Sequence, residues 1–510
     1  MAVPIVLILF VAISGTLLYS LVGSHSLVHD EAVYLTEARS WMAGTPASEF
    51  RIYRPIGMPV LGWMALHFDD SERNVRLVGV FFGILTISFI FLLFRSVFGV
   101  WVGVAVASVM MTSSLFLRNA PEFLNDIPST GLIFGALWLF WTHYKTGGKS
   151  NSIYFVPVLI ASSFYLRYGI VLVLIIIAAV TLFFLSARFY HQERRSYKRL
   201  TIASILLILF LIPHFIQSLS SGNGLFGILS RGGEAAGREY LGQGLVNYIK
   251  WMPNEIGGWV LGISAILGVF IVLYTVVLTK VGNEKNLGIA WLGSIGLLHF
   301  ILTGFLVHAE SRYVSLSMTL LAGIGIAGLY SIIASLSPVI SKLYIACIIS
   351  ICVYFGISNY QIVNHAFDLR EANVSRNVYM EASEVIAHDN SSNMECIVWS
   401  NSFRPQISWY SGCYTLDVND VATFNRDYLI HLRRDHYSVV LTKASGPNID
   451  AERASEYGVK LSEIFRKDVS AASLGELVVY KIEKTDEIED IKNKIQVKPR
   501  IEPPTNPIEH

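Results

Sequence analysis

Charge is what this sequence has least of. Asp, Glu, Lys and Arg make up 15% of its 510 residues, whereas a soluble domain carries roughly a quarter. The charge is missing from continuous apolar blocks of about 20 residues, the length that a helix needs to cross the ~30 Å hydrocarbon core of a bilayer. The blocks do not alternate between polar and apolar residues, which excludes a transmembrane barrel and predicts membrane-spanning helices.

Other absences narrow the function. The formal net charge is +1, so no global field favours nucleic acid as a partner. The sequence contains no Walker loop, dinucleotide-binding fingerprint, nucleophile elbow or zinc-ligand spacing, and direct use of nucleotide hydrolysis is therefore not expected.

Cysteine is scarce, with 4 residues in the whole chain. Cys347 and Cys352 lie in an apolar block, where they are expected to be packing residues. Cys396 and Cys413 lie in a polar region near the C-terminus. In an oxidising compartment they would be able to form a disulfide, and the sequence leaves that pairing and two free thiols equally open.

The apolar blocks predict about eleven transmembrane helices, and thus an α-helical polytopic membrane protein. Because the first block is preceded by no Lys or Arg, we expect it to be a retained helix rather than a cleaved signal peptide. The predicted spans are 3–22, 74–94, 98–117, 127–143, 152–166, 169–187, 200–217, 257–279, 287–307, 313–334 and 341–358.

The orientation follows from the loops between these spans. Lys and Arg collect on alternate loops, most densely between Arg188 and Arg199. Because basic loops stay in the cytoplasm, we expect a multi-pass protein of the cell (plasma) membrane with a cytoplasmic N-terminus. An odd number of spans then places the C-terminal region on the extracytoplasmic side.

That C-terminal region predicts a small α/β domain. "CIVWS", "SVVLT" and "LGELVVYKIE" are typical of strands, and "RNVYMEASEVIAHD" and "DAERASEYGVKLSEIF" are typical of helices. The predicted domains are thus a transmembrane domain over 1–360, a soluble extracytoplasmic α/β domain over 361–485, and a charged, Pro-containing tail over 486–510 that is expected to be disordered.

Ionisable residues collect on the predicted outer side, beginning with Asp30 and Glu31 just after the first span. The apolar residues that follow them at helical spacing predict an amphipathic helix lying along the membrane. A carboxylate at this position suits a general base or a cation ligand. Capping of the helix N-terminus is the alternative interpretation.

Basic residues lie on the same side. In "FRIYRPIGMPVL", Tyr53 is a candidate substrate contact, and Arg54 carries the planar donor fork that suits a phosphate. A snorkelling interfacial arginine is the alternative for Arg54. Arg231 lies in the Gly-rich "RGGEAAGREY", which we expect to be a mobile lid over substrate or simply an exposed loop.

Three more short segments add charge to this side. Asp126 begins the fourth long span in "NDIPST", where capping is again an alternative role. Arg167 in "LRYG" has almost no loop around it and needs a partner, for which Asp126 or a lipid phosphate would serve. "HAESRYVS" supplies His308, Glu310 and Arg312 before the tenth span.

With these motifs in order, the chain resembles the GT-C superfamily of polytopic glycosyltransferases. Within it, the sequence is most similar to the family 39 group of protein O-mannosyltransferases and the lipid A aminoarabinose transferases. The resemblance covers about residues 1–360 and depends on five segments, whose order and spacing are more specific than any one of them: Asp30-Glu31, "RPIGMPVL", "NDIPST", "LRYG" and "HAESRYVS".

The resemblance implies transfer of a sugar from a polyprenyl-phosphate donor to a hydroxyl of a glycan, lipid or protein, on the outer face and with inversion. It implies that Asp30 is the base and that Glu31 and Asp126 shape the site. Arg54 and Arg312 would contact the donor phosphate, with Arg167 as a further candidate. His308, Glu310, Tyr53 and Arg231 are candidate substrate contacts.

The implied chemistry needs little else. Because the leaving phosphate is already ionised at neutral pH, one base and cations on the phosphate suffice. No cofactor is expected to be required, and a divalent cation is not indicated, although other branches of the superfamily use one. The C-terminal region does not resemble the sugar-recognition repeats of eukaryotic mannosyltransferases, so the acceptor is not implied.

Two other classes of function compete with this interpretation. A transporter or flippase for a lipid or anionic solute would place ionisable groups near the bilayer midplane and often shows an inverted repeat. A sensor or assembly protein would have a larger soluble domain and no cluster of charge on one face. The one-sided charge and the absence of a visible repeat favour the enzyme.

Overall fold

The computed structural model describes residues 2–23, 26–43, 47, 54–190, 194–220, 224, 227, 239–278, 283–372, 374–390, 396–400, 402–417, 435–441, 460–469 and 475–483. Tyr53 and Arg231 lie outside these residues. The chain forms two compact units: the membrane unit, Met1–His25 and Phe50–Leu369, and the C-terminal unit, Ser26–Glu49 and Arg370–His510.

The described helices follow one another with short connections. In chain order they are α1 (Ala2–Leu21), α2 (His29–Ala43), α3 (Gly57–Leu66), α4 (Glu72–Phe98), α5 (Val100–Met111), α6 (Ser114–Asn119), α7 (Asp126–Lys145), α8 (Val156–Leu166), α9 (Ile170–Tyr190), α10 (Arg194–Ser220), α11 (Gln243–Trp251), α12 (Trp259–Leu278), α13 (Glu284–Leu306), α14 (Ser315–Leu336), α15 (Pro338–Ala372), α16 (Val374–Asp389) and α17 (Arg404–Ser411). Short 3-10 turns cover Asn151–Phe155 and Ser311–Val314.

Each predicted transmembrane span is largely helical, with 98–117 divided between α5 and α6, which confirms a polytopic α-helical membrane protein. Among the described residues, seven helices are long and apolar enough to cross a bilayer: α1, α4, α10, α12, α13, the run Ser311–Leu336 that contains α14, and α15. Shorter apolar helices include α5, the run Asn151–Leu166 that contains α8, and α9. The number that crosses the membrane stays a prediction.

Close helix pairs in the membrane unit depend on glycine. A Cβ atom added to Gly325 of α14 would lie 2.1 Å from the carbonyl oxygen of Ser264 in α12. One added to Gly268 of α12 would lie 1.9 Å from the carbonyl oxygen of Leu321 in α14. The two backbones touch, as is common where small residues let membrane helices approach.

The C-terminal unit contains a five-stranded sheet with the order β2-β1-β3-β5-β4. Its strands are β1 (Cys396–Ser400), β2 (Tyr414–Asp417), β3 (Asp435–Leu441), β4 (Lys460–Asp468) and β5 (Glu476–Glu483). β1 is parallel to β2 and β3, whereas β5 is antiparallel to β3 and β4. The sheet and α16 confirm the predicted small α/β region.

A polar contact joins α16 to this sheet. Asp389, at the end of α16, accepts hydrogen bonds from the Tyr437 hydroxyl at 2.7 Å and from Lys481 Nζ at 2.6 Å. Burial pushes the pKa of Asp389 upward, but these two hydrogen bonds outweigh it and leave the pKa below its usual value.

One predicted helix is wrong where it can be compared. The segment "DAERASEYGVKLSEIF" was expected to be helical, yet its residues 460–465 belong to strand β4, and 450–459 lie outside the described residues. A bulge between Glu463 and Phe465 shifts the register against β5. The extra residue gives Leu461, Ile464 and Phe465 the spacing of a helix face, although the chain is extended.

The predicted helix in the first outer loop is confirmed as α2, but it belongs to the C-terminal unit and packs within it. Ala32, Val33, Leu35 and Ala38 are fully buried, and α2 lies against α17. The apolar stripe on α2 is therefore covered by protein. This placement gives the stripe a packing role that the sequence pattern alone does not distinguish from membrane contact.

Candidate active site

An ion pair at the helix ends of the membrane unit forms the centre of the site. Asp126 is the first residue of α7 and its side chain is 1% exposed. Arg167 immediately follows α8 in extended conformation, and its Nη1 lies 2.5 Å from Asp126 Oδ1. Asn125 Nδ2 also donates to the carbonyl oxygen of Leu166 at 3.1 Å. Of the two partners predicted for Arg167, Asp126 and a lipid phosphate, the structure shows Asp126.

The segment before α14 adds a second arginine to this carboxylate. Arg312 Nε lies 3.6 Å from Asp126 Oδ2 and is also in direct contact with Glu310 Oε2. His308 Nε2 lies 3.0 Å from the other oxygen of Glu310. Arg312, Glu310 and His308 thus form a chain of ionisable side chains that leads to the buried Asp126, which Arg167 also contacts.

Two tyrosines that the sequence did not single out complete the cluster. The guanidinium carbons of Arg167 and Arg312 lie 4.8 Å and 5.6 Å from the centre of the Tyr313 ring, at cation–π range. The Tyr248 hydroxyl donates to the Glu310 carbonyl oxygen at 3.0 Å and accepts from the Glu310 N–H at 3.3 Å. Burial raises the pKa of Tyr248 far above its usual value, so it stays neutral.

The "RPIG" turn reaches the same region through its backbone. A Cβ atom added to Gly57 would lie 2.6 Å from the Tyr165 carbonyl oxygen and 3.0 Å from the Leu166 nitrogen. Only glycine permits this approach to the segment that carries Arg167. Arg54, three residues earlier, is half-buried. Four of the five motif segments are therefore brought together in the membrane unit.

The two arginines of this cluster are partly exposed. A guanidinium carries five N–H donors. Within the described part of the chain, Arg167 contacts the carboxylate of Asp126 through its Nη1 nitrogen. The Arg167 side chain is 21% exposed. Arg312 is 18% exposed. Two partly exposed arginines that are fixed by one buried carboxylate can bind a phosphate.

Asp30 and Glu31, the fifth motif, belong to the C-terminal unit. Glu31 Oε2 accepts the backbone N–H of Val28 at 3.0 Å, and Glu31 is fully buried. This is the reach-back hydrogen bond of a capping box, so the capping alternative applies to Glu31. Asp30 is half-buried in the first turn of α2.

Among the described residues, no three His, Cys, Asp or Glu side chains are grouped so that they could hold a metal ion. That no cofactor is required stays a prediction.

Comparison with known proteins agrees with this architecture. Residues 54–216 match the model of the family described as dolichyl-phosphate-mannose-protein mannosyltransferase, and this stretch includes Arg54, Asp126 and Arg167. No curated protein sequence matches the chain.

Solved structures show the same fold at low identity. ArnT from Cupriavidus metallidurans, bound to undecaprenyl phosphate, superposes with a TM-score of 0.66 at 13% identity, covering 94% of this chain and 98% of ArnT. The oligosaccharyltransferase AglB from Archaeoglobus fulgidus, in complex with an inhibitory peptide and a dolichol-phosphate, gives 0.52 at 10% identity, covering 85% and 69%. The chain therefore has the GT-C fold and resembles, over residues 54–216, the dolichyl-phosphate-mannose-protein mannosyltransferases, as its sequence predicted.

Proposed function

We propose that this protein is a membrane glycosyltransferase that moves a sugar from a polyprenyl-phosphate donor to an acceptor hydroxyl on the extracytoplasmic face, with inversion. The observation that carries the proposal is the cluster in which Arg167 and Arg312 flank the buried Asp126. Two residues of this cluster lie in the stretch that matches the mannosyltransferase family. ArnT, which shares the fold, binds undecaprenyl phosphate.

In this proposal the arginines bind the donor phosphate. As the bond from the sugar to the phosphate oxygen breaks, negative charge grows on that oxygen, and guanidinium donors held in place stabilise it. Arg54 is proposed to contribute to the same phosphate. Asp126 is occupied by two arginines and 1% exposed, so we assign it to orienting them rather than to proton transfer.

Asp30 is proposed as the base. The acceptor oxygen attacks the anomeric carbon from the face opposite the phosphate, its proton passes to the Asp30 carboxylate, and the phosphate leaves as an anion without a general acid. The assignment is supported by the resemblance and by the role of Glu31. Since the Glu31 carboxylate caps α2 through Val28, Asp30 is the member of the acidic pair that is assigned to chemistry.

One disulfide bond supports an oxidising compartment around the C-terminal unit. Cys396 and Cys413 form a disulfide in the C-terminal unit, and structural disulfides persist outside the cytoplasm. Together with the basic alternate loops, this supports a cytoplasmic N-terminus and an extracytoplasmic C-terminal unit in the plasma membrane. The acceptor is proposed to be a glycan, lipid or protein presented on that side, with membrane lipids around the helices.

A transporter or flippase is the alternative. Against it, Asp126, Arg167 and Arg312 lie at helix ends or between helices, whereas transport sites use broken helices near the bilayer midplane. The two functions differ in their product. A transporter would move the lipid-linked sugar between leaflets without forming a new glycosidic bond.

The test is sugar transfer in membranes that contain the full-length protein and a labelled polyprenyl-phosphate sugar, with cell-envelope extract as acceptor. We expect Asp30→Asn to reduce transfer by at least 100-fold, since general base catalysis contributes about 10²–10⁴. Arg167→Gln should raise the KM for the donor. The matched carboxylate-to-amide control is Glu384→Gln, at an exposed position of α16, which should transfer sugar like wild type.

Two results would contradict the proposal. Wild-type transfer by Asp30→Asn would remove the assignment of the base. Movement of intact donor across vesicles that contain the protein, with no covalent transfer to any acceptor, would favour the transporter.

A further inference from the structure

The helix α17 holds α2, the helix that carries Asp30, and the sequence gives no hint of this contact. Leu27 and Tyr410, which are joined by a hydrogen bond, are 383 residues apart in the sequence. We infer that α17 is a positioning element for Asp30. Its side chains and its C-terminal end contact α2 at two places and so fix the direction of the Asp30 carboxylate. The inference rests on the proposed function of Asp30.

The first contact is at the N-terminus of α2. Three consecutive backbone N–H groups there have side-chain acceptors. The N–H of Leu27 donates to the Tyr410 hydroxyl at 2.9 Å, and that of Val28 donates to Glu31. With the Gln406 amide oriented so that both its ends are hydrogen-bonded, its oxygen accepts the His29 N–H at 3.2 Å. Two of these acceptors belong to α17, and Asp30 is the next residue.

The second contact is about 15 Å further along α2, ten residues later at about 1.5 Å per residue. Arg39 Nη1 donates to the Trp409 carbonyl oxygen at 2.7 Å, near the C-terminal end of α17. The same guanidinium stacks on the Trp409 ring, with its carbon 3.6 Å from the ring centre. A cation at a helix C-terminus is favoured by the unpaired carbonyls there. Because α2 is held near both ends, it can neither rotate nor slide freely.

The helix α17 is itself fixed to the sheet. The Cys396–Cys413 disulfide closes a loop that contains α17 and joins the start of β1 to the residue before β2. These two cysteines precede the parallel pair Ile397 and Tyr414. Inside the loop, Ser408 Oγ donates to the Cys413 carbonyl oxygen at 2.8 Å. From β2, Thr415 Oγ1 donates to the Arg404 carbonyl oxygen at 3.2 Å. Both ends of α17 are tied down.

Rigid support of this kind matters for a base. A proton-accepting oxygen acts only within hydrogen-bond reach of its donor, and small displacements of a catalytic group reduce the rate strongly. Loosening α2 should therefore lower kcat. It should leave the KM for the donor unchanged, because the proposed phosphate-binding arginines belong to the membrane unit.

The test is Tyr410→Phe in the full-length protein, which removes the hydroxyl that accepts the Leu27 N–H. We expect kcat to fall about 5- to 10-fold, the effect of about one hydrogen bond, with the KM for the donor unchanged. Hydrogen exchange at the amides of residues 27–35 should accelerate. The double variant Cys396→Ser with Cys413→Ser should show the same two changes.

Tyr480→Phe is the matched control. It removes a hydroxyl from β5 in the same unit, and the described residues provide no recorded hydrogen bond to it. This variant should behave like wild type in both measurements. An unchanged kcat in Tyr410→Phe, with or without faster exchange, would overturn the positioning role. If wild type itself transfers no sugar, the proposed function fails. Faster hydrogen exchange in Tyr410→Phe would then still support the contact of α17 with α2.

Discussion

Asp126 shows how one buried charge can organise a site. A carboxylate that is 1% exposed is costly unless it is paired. Its two oxygens face different arginines, Arg167 and Arg312, which come from separate segments of the chain. The carboxylate thereby sets the spacing of the two cations, and the Tyr313 ring beneath both guanidinium groups restricts their movement.

We predict that Arg167→Gln destabilises the folded protein more than Arg167→Gln combined with Asp126→Asn. The single variant leaves a buried carboxylate without its nearest cation, at a cost of about 3 kcal/mol, the lower end of the range because Arg312 remains close. Thermal unfolding in detergent measures this. The double variant should recover stability but not transfer activity. Equal unfolding temperatures for the two variants would contradict the organising role of Asp126.

Within the site, the sequence predicted the charged residues but not Tyr248 and Tyr313. Arg167 could be matched to Asp126 because a lone arginine at a membrane helix end needs a partner. Tyr313 had one signal, since it directly follows Arg312 in "HAESRYVS". Tyr248 had none: its role depends on where α11 meets the backbone of Glu310, and such long-range contacts leave no local pattern.

Among the elements, α12 and α14 form a rigid pair whose spacing is set by glycine. Gly268 and Gly325 each face backbone atoms of the other helix. Since there is no water to exclude between helices in a bilayer, close van der Waals contact between backbones is a main source of their attraction. α14 follows directly after the segment that carries Arg312, so this packing also supports the site.

We predict that Gly325→Ala lowers the unfolding free energy by about 1–3 kcal/mol, the range typical of overpacking. The added methyl would lie 2.1 Å from the Ser264 carbonyl oxygen, which cannot move without shifting α12. Gly15→Ala in α1 is the control, because its methyl meets only the end of the Ile84 side chain at 3.3 Å. Thermal unfolding of both variants in one detergent compares them; equal losses would argue against the close pair.

The helices themselves were largely predictable, because continuous apolar blocks specify them directly. The errors were local or long-range. The bulge in β4 imitated helical spacing at Leu461, Ile464 and Phe465. The apolar stripe of α2 was correctly assigned to a helix, but a stripe does not identify its partner, which here is α17.

We predict that, in the whole molecule, the loop after α7 and the C-terminal unit lie on opposite sides of the membrane. In a Cys347→Ala background, which removes the exposed free thiol, we introduce Lys149→Cys after α7 or Glu384→Cys on α16, both at exposed positions. On intact cells a membrane-impermeant maleimide should label Glu384→Cys alone, and opening the cells should add Lys149→Cys. The reverse pattern would overturn the proposed orientation.

The path of the chain also imposes an order in time. Leu27 is synthesised 383 residues before Tyr410, a delay of roughly 20–80 s at about 5–20 residues per second. During that interval α2, with buried apolar residues such as Val33 and Leu35, lacks the helix α17 against which it packs in the finished protein. A nascent chain must therefore be protected until α17 emerges. A protein truncated before α17 should be removed by quality-control proteases even though all of its predicted membrane spans have been made.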